Sequence, residues 1–102
     1  MKRRFKVHPG VLADLADARN YYREIDPALA ARFFLSYANS LQHIRKNPLV
    51  PREYVPGWRR VVLVPFPYVV AFSVDDKSID VTALLHARRD PQSNRAVLEQ
   101  RS

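Results

Sequence analysis

The dipeptide Asp26-Pro27 constrains the fold most, because it separates two amphipathic stretches with almost no linker. Asp is a strong helix N-cap, since its carboxylate accepts the free N–H groups of the first turn. Pro at the first helical position needs no N–H donor. Apolar residues recur at spacings of three and four on both sides of this dipeptide: Leu12, Leu15, Ala18, Tyr22 and Ile25 before it, and Leu29, Phe33, Tyr37, Leu41 and Ile44 after it. The pattern predicts an antiparallel helical hairpin, with helices ending near Ile25 and near Lys46.

Strand patterns flank this hairpin. The alternation over Arg4–His8 predicts a first strand ended by Pro9-Gly10, and the proline-rich residues 48–58 are expected to be irregular. The later segments predict three strands and a short C-terminal helix, over Arg59–Val64, Tyr68–Val74, Ile79–Leu85 and Gln92–Gln100. Helices and strands are therefore grouped in the order β-α-α-β-β-β. This order predicts an α+β fold in one domain over residues 1–102, with the hairpin packed on one face of an antiparallel sheet.

Alternation along the last predicted strand assigns its side chains to two faces. Ile79, Val81, Ala83 and Leu85 are expected to face the helices, and Asp80, Thr82, Leu84 and His86 the opposite side. If the helices form a layer on one side only, the face with His86 is where a partner would dock.

The net charge of +7 comes from 17 basic and 10 acidic residues, and 13 of the basic residues are Arg. An excess of this size favours an anionic partner, either nucleic acid, an acidic protein or a membrane surface. The alternative is that a GC-rich genome encodes Arg readily and that the charge serves solubility alone. The surplus lies within residues 1–72, because residues 73–102 carry five groups of each sign. This region is therefore the expected side of partner contact.

Several classes of function lack their required residues. No run of 18 apolar residues is present, and the basic start is not followed by an apolar stretch, so neither a membrane span nor a secretory signal is predicted. Cysteine is absent, and two glycines, Gly10 and Gly57, are too few for a phosphate-binding loop. His8 and His43 have no ligands at metal spacing. We therefore expect a cytoplasmic protein without metal or cofactor.

An ordered set of short motifs resembles the RelE/ParE superfamily of type II toxin–antitoxin toxins. In helix one the motif is Ala13-x-Leu15-x-x-Ala18-x-x-Tyr21-Tyr22, and in helix two it is Ala30-x-Arg32-Phe33 followed by Ile44-x-x-Asn47-Pro48. In the strands the motifs are Arg59-Arg60-Val61, Phe66-Pro67-Tyr68-Val69-Val70 and Leu84-Leu85-His86-Ala87-Arg88-Arg89-Asp90-Pro91. The resemblance covers residues 5 to 91, and the last motif is similar to the ParE, or plasmid stabilisation, branch.

The resemblance implies a toxin that a cognate antitoxin holds inactive. Antitoxins of the superfamily are typically acidic and partly disordered, and they wrap the toxin as a helix and a strand. This agrees with the charge, because a strongly basic domain suits an acidic chain that folds on binding. The ParE branch implies inhibition of DNA gyrase by binding. The RelE branch implies ribosome-dependent cleavage of mRNA.

Metal-independent RNA cleavage would need a base, an acid and cations that stabilise the charged phosphorane. The candidate catalytic residues are Arg60, Tyr68, His86, Arg88 and Arg89. Tyr68 stands where the RNase branch tends to carry Arg, and the loss of this cation favours a binding inhibitor over an endoribonuclease. The sequence leaves enzymatic activity open, and a third hypothesis is a non-toxic basic domain that binds nucleic acid.

The candidate partner-binding residues are Arg19, Arg23, Arg32, Arg52, Trp58, Arg59 and Arg60. Structural roles compete with these functional ones. His86 would cap the last strand, and Arg88 and Arg89 would pair with Asp90 or lie in a solvated turn. Arg59 and Arg60 would protect an edge strand from aggregation. The aromatic residues Tyr21, Tyr22, Phe33 and Tyr37 are expected in the core. Trp58 is either a lid over the core or a contact residue.

Overall fold

The computed structural model describes residues 2–102, so Met1 of the predicted domain lies outside the described residues. The helices are α1 (Gly10–Ile25), α2 (Pro27–Lys46) and α3 (Pro91–Arg101). The strands are β1 (Arg4–Val7), β2 (Glu53–Val55), β3 (Trp58–Val62), β4 (Tyr68–Val74) and β5 (Ser78–His86). The predicted α+β fold is confirmed, and α3 confirms the predicted C-terminal helix.

The five strands form one sheet in the order β1-β5-β4-β3-β2. The prediction of a wholly antiparallel sheet is wrong, because β1 pairs with β5 in parallel while the other neighbours are antiparallel. Alternation of apolar residues carries no information on strand direction. The prediction that residues 48–58 are irregular is wrong for β2 and for Trp58. Gly57 adopts a φ of 95°, and this conformation turns the chain from β2 into β3.

The helical hairpin forms at the predicted dipeptide. The Asp26 carboxylate accepts the Ala28 N–H at 3.0 Å, and Pro27 is the first residue of α2. The buried faces comprise Val11, Leu15, Ala18 and Tyr22 on α1, and Ala30, Phe33, Tyr37, Ser40 and Ile44 on α2. Leu12 and Ile25 were expected in the stripe but are 69% and 59% exposed. The stripe starts one residue earlier, at Val11, and this start leaves Leu12 outside it.

Two apolar clusters pack on opposite faces of the sheet. The larger cluster lies under the hairpin and includes Phe33, Phe66, Val70, Phe72 and Leu84. The smaller cluster is formed by Val69, Ala71, Ala83 and Leu85 with Leu98 of α3, and Trp58 packs against it. The face opposite the hairpin is therefore not bare, because α3 and Trp58 cover its centre, so the condition under which a partner was expected to dock there is not met.

A β-bulge in β5 changes the predicted facing of its side chains. Phe72 pairs with Val81 and Ala71 pairs with Ala83, so Thr82 is the extra residue. Ile79 and Val81 face the hairpin as predicted, whereas Ala83 and Leu85 join the cluster under α3. Leu84 faces the hairpin instead, and so does His86, two residues further along the strand. The bulge therefore reverses the assignment of every later residue.

Residues 2–102 contain neither a helix suited to span a membrane nor a cluster of metal-ligating side chains. None of the helices combines the length and the apolar composition that a membrane span requires. None of the described His, Cys, Asp and Glu side chains form a group of three or more suited to hold a metal ion.

Candidate functional site

An apolar groove lies between α2 and the loop that joins β3 to β4. It has a volume of about 370 Å³ and is lined by Leu29, Arg32, Leu35, Ser36, Asn39, Val64, Pro65 and Phe66. The loop is anchored by Phe66, whose ring packs edge-to-face against those of Tyr22 and Phe33 at 5.1 Å. This anchor fixes the loop beside α2 and leaves Val64 75% exposed and Leu35 59% exposed.

The groove combines apolar walls with one cation. Exposed apolar side chains grouped with a polar rim are characteristic of protein-binding surfaces. Arg32 is exposed at the rim and can pair with a carboxylate of a bound chain. We call this set of eight residues the α2 groove.

The other predicted cations of the hairpin do not line the α2 groove. The guanidinium of Arg19 stacks over the Phe34 ring at 4.7 Å, between the two helices. Arg23 is exposed on α1, where its Nη1 donates to Asn20 Oδ1 at 2.9 Å. Of the three predicted hairpin cations, Arg32 is thus the one that meets the apolar groove.

The remaining partner-binding candidates lie at the β2–β3 end of the sheet. Arg59 Nη1 donates to the carbonyls of Leu49 and Pro51 at 3.1 and 2.7 Å, and so fixes the preceding loop. The prediction that Arg59 and Arg60 protect an edge strand is wrong, because β2 flanks β3 on its outer side. Arg60 stacks over the Tyr54 ring at 4.7 Å, and Arg52 is exposed.

Trp58 covers the smaller core. Its indole N–H donates to Thr82 Oγ1 at 3.3 Å, at the bulge of β5. Its ring is half-buried against the cluster that includes Leu98. Of the two predicted roles, the lid is the one formed in this structure.

A small cavity of about 220 Å³ gathers several titratable side chains on the hairpin side of β5. Its lining includes Asp14, Asp17, Tyr68, His86 and Arg89. The rings of Tyr68 and His86 lie 5.1 Å apart, as expected for paired residues of neighbouring strands. His86 Nδ1 accepts the Arg88 N–H at 3.1 Å, which is the predicted capping of the strand end.

The cavity does not assemble the full set of predicted catalytic residues. Tyr68, His86 and Arg89 meet there, but Arg60 pairs with Ala71 and so lies on the opposite face, and Arg88 is outside the lining. Burial, and then the nearby Tyr21 and Asp17, raise the pKa of Tyr68 above its ordinary value. A phenolate base is therefore disfavoured. The lining holds Arg101 as well, but that guanidinium is paired with Asp14, so the charges left in the cavity are Arg89 and Asp17.

Comparison with known proteins identifies the family. Residues 5–91 match the family model described as "ParE toxin of type II toxin-antitoxin system, parDE". The chain belongs to the ParE toxin family. It is 30% identical over 105 residues to Toxin ParE2 of Mycobacterium tuberculosis (strain CDC 1551 / Oshkosh), covering 100% of this chain and 98% of the relative. It is also 31% identical over 78 residues to Toxin RelE2 of Caulobacter vibrioides, covering 76% of this chain and 88% of that one.

A solved structure has the same fold as this ParE-family chain. It is described as the chromosomal ParDE TA system from P. aeruginosa, and it aligns with a TM-score of 0.73 at 21% identity. The alignment covers 84% of this chain and 97% of the other. The family model and the two relatives confirm the predicted resemblance to the superfamily and to its ParE branch.

The sequence did not predict one polar contact of this ParE-family fold, the pair formed by Arg101 and Asp14. Arg101 Nη1 and Nη2 donate to the two Asp14 carboxylate oxygens at 2.7 and 3.0 Å. Arg101 Nη1 also donates to the Thr82 carbonyl at 3.1 Å, and Asp14 accepts the Leu84 N–H at 3.1 Å. No sequence signal joins two residues that are 87 positions apart.

Two further expectations differ from the structure of this ParE-family chain. Of the two roles foreseen for Arg88 and Arg89, the exposed turn is formed, because Asp90 instead accepts the Gln92 N–H and caps α3. Tyr21 was expected in the core but is 59% exposed. The apolar wall of the α2 groove, Leu35 and Val64, was not singled out. The signal was present in the pair of prolines, Pro65 and Pro67, which follow Val64 in the loop between β3 and β4.

Proposed function

We propose that this ParE-family toxin arrests growth by binding DNA gyrase through the α2 groove, without cutting RNA. Gyrase inhibition in the cytoplasm is the activity that the resemblance to the ParE branch implies. The observation that carries the proposal is the apolar groove itself, in which Leu35 and Val64 stay exposed beside the cation Arg32. A surface of this kind suits a protein target.

The charge supports neutralisation by an acidic antitoxin. A net charge of +7 attracts an acidic chain and steers its approach, and the groove supplies apolar area that a chain folding on binding needs. An antitoxin segment seated in the groove would exclude gyrase by occupying the same surface.

Endoribonuclease action is the second candidate, and the Tyr68–His86–Arg89 cavity is the place where it would occur. Its lining brings one histidine near a phenol whose pKa is raised, and it also contains Arg89. Stabilisation of a phosphorane needs cations, and in this lining Arg101 is engaged by Asp14, which leaves one arginine, Arg89, against one carboxylate, Asp17. The binding mechanism is therefore favoured.

Two variants separate the two mechanisms. In the first, Leu35→Asp and Val64→Asp place charges in the apolar groove. We expect this variant to lose growth arrest on induced expression, and to lose inhibition of DNA supercoiling by purified gyrase. In the second, Arg60→Ala and His86→Ala remove RNase candidates, and we expect both activities to stay within about threefold of the parent, since neither residue lines the groove.

The matched control carries Gln92→Glu and Gln100→Glu, two exposed positions of α3, and has the same net charge as the groove variant. It is expected to behave as the parent. Thermal midpoints of all variants show whether each remains folded. The RNase mechanism would be established instead if the parent cut messages on ribosomes and the Arg60/His86 variant lost growth arrest. Harmless expression of the parent without an antitoxin would leave the nucleic-acid-binding hypothesis.

A further inference from the structure

A second charged surface lies at the β1 edge of the sheet, where it takes no part in the proposed gyrase contact. Its basic residues come from β1 and the residues before it, from the end of α2 and from the β4–β5 turn: Lys2, Arg3, Arg4, Lys6, Arg45, Lys46 and Lys77. They line two clefts of about 480 and 850 Å³ that share Lys2. We call these seven residues the β1 basic surface.

The charges of this surface are not neutralised within the protein. Among residues 2–102, the salt bridges join Arg95 to Glu99 and Arg101 to Asp14, and neither involves the β1 basic surface. The neighbouring Asp75 carboxylate accepts the Lys77 and Ser78 N–H groups at 2.7 and 2.8 Å, and these contacts lower its pKa. This carboxylate stays ionised, and together with Asp76 it leaves the two clefts with seven basic and two acidic side chains, so the lining is net positive.

Two guanidinium groups of the surface are held in place before any ligand arrives. Arg45 lies over the Phe5 ring at 4.4 Å, and Arg3 Nε donates to the Asp75 carbonyl at 2.7 Å. Neither contact uses the terminal nitrogens of the guanidinium, which remain available to an oxyanion. Side chains fixed in this way lose less conformational entropy on binding.

The chemistry of the surface suits a phosphodiester backbone rather than a peptide. An acidic segment that folds on binding must bury apolar area, and the α2 groove offers it, whereas here Phe5 is already covered by Arg45. Single-stranded nucleic acid is held largely by stacking on exposed aromatic rings, and none of the exposed large apolar side chains of residues 2–102 is an aromatic of this surface. Binding to the phosphate backbone of duplex DNA needs cations and does not need an exposed aromatic ring.

We propose that the β1 basic surface binds the phosphate backbone of duplex DNA. It is separate from the α2 groove, because the two linings share no residue, and Arg45 lies six residues beyond Asn39, the last groove residue on α2, which is about 9 Å of helix axis. The two surfaces can therefore be occupied together, so that the toxin would contact DNA while it binds a protein. This proposal does not depend on gyrase being the target, since it concerns the purified chain and DNA alone.

The test compares two triple variants of the full chain with equal net charge. Lys2→Gln, Arg4→Gln and Lys46→Gln remove three exposed cations of the surface, and Arg23→Gln, Arg88→Gln and Arg95→Gln remove three exposed cations elsewhere. Fluorescence anisotropy with a labelled 20-base-pair duplex would give the affinity as salt is varied. Each lost phosphate contact lowers the slope of log K against log salt by about 0.9, so we expect the surface variant to lose a slope of about 2 to 3 and at least about tenfold in affinity at low salt.

The control variant is expected to retain affinity within about threefold and most of the slope. Equal losses in both variants would overturn the proposal, because binding would then follow net charge alone. Equal affinity for a single strand of the same length would also overturn it. The proposal would also be overturned if the parent chain bound poly-glutamate but not the duplex. The surface would then suit an acidic protein. Unchanged thermal midpoints in both variants exclude unfolding as the cause.

Discussion

Arg101 and Asp14 form hydrogen bonds with backbone groups of β5 that lie beyond its pairing with β1. β1 pairs with β5 only as far as Val81, and beyond this point the Thr82 carbonyl and the Leu84 N–H need other partners. Both side chains are about one-fifth exposed, so the pair is partly shielded from water. A single ion pair thereby joins α3, β5 and α1.

Replacing Arg101 by Ala tests this contact. The change removes two charge-assisted hydrogen bonds and leaves the Thr82 carbonyl unpaired, so we expect the free energy of unfolding to fall by about 1.5 to 3 kcal/mol in urea denaturation. Arg95→Ala removes the exposed pair with Glu99 and should change it by less than about 1 kcal/mol. Equal decreases for Arg101→Ala and Arg95→Ala would mean that the partly buried Arg101–Asp14 pair stabilises the fold no more than the exposed pair does.

Three tyrosines make the fold sensitive to alkali. Burial is the largest cause that raises the pKa values of Tyr22, Tyr37 and Tyr68 above 10.0. Above that pH the unfolded chain releases phenolic protons that the folded chain retains, so this stabilisation is present below pH 10 and is lost as the pH rises further. The free energy of unfolding of Tyr37→Phe should fall less steeply than that of the parent between pH 9 and pH 11. Parallel curves would contradict the assignment.

At the level of whole elements, the sequence predicts what depends on local chemistry. Asp26-Pro27 and the apolar spacing were enough to predict both helices of the hairpin. A helix cap and an apolar stripe depend only on residues that are close together in the sequence. β2 was missed because its three residues stand between prolines and their pairing depends on the turn at Gly57. The facing of His86 was wrong because the bulge at Thr82 is a property of the pairing with β4.

The candidate site was predicted only in part. Arg32 was correctly placed on α2, but its position beside Val64 arises from the packing of Phe66 against Tyr22, which no local pattern contains. The RNase candidates were grouped by resemblance. The sheet separates two of them, because Arg60 pairs with Ala71 on the α3 side whereas His86 lines the cavity on the hairpin side.

The packing of α3 against the sheet is tested through Leu98. This side chain is fully buried in the smaller cluster, so Leu98→Ala should lower the free energy of unfolding by about 2 to 5 kcal/mol. The exposed Gln100→Ala, on the same helix, should change it by less than about 0.5 kcal/mol. Chemical denaturation measures both. A small effect at Leu98 would mean that α3 contributes little to the fold.

At the scale of the whole molecule, the α2 groove and the β1 basic surface are expected to act independently. Leu35 and Lys46 lie 11 residues apart on α2, about 16 Å along its axis, and they share no neighbour in the two linings. Leu35→Asn should therefore leave the affinity for duplex DNA within about twofold while it weakens gyrase inhibition. A matching loss of DNA affinity, measured by anisotropy, would show that the two surfaces are coupled.

The outer position of β1 also bears on how copies of the chain behave towards each other. An edge strand with open backbone groups is a template for pairing with another chain. Here Arg4 and Lys6 stand on that strand, so two copies that joined edge to edge would bring like charges together. The electrostatic repulsion favours separate molecules, and a polyanion that covered these charges would remove this barrier to self-association.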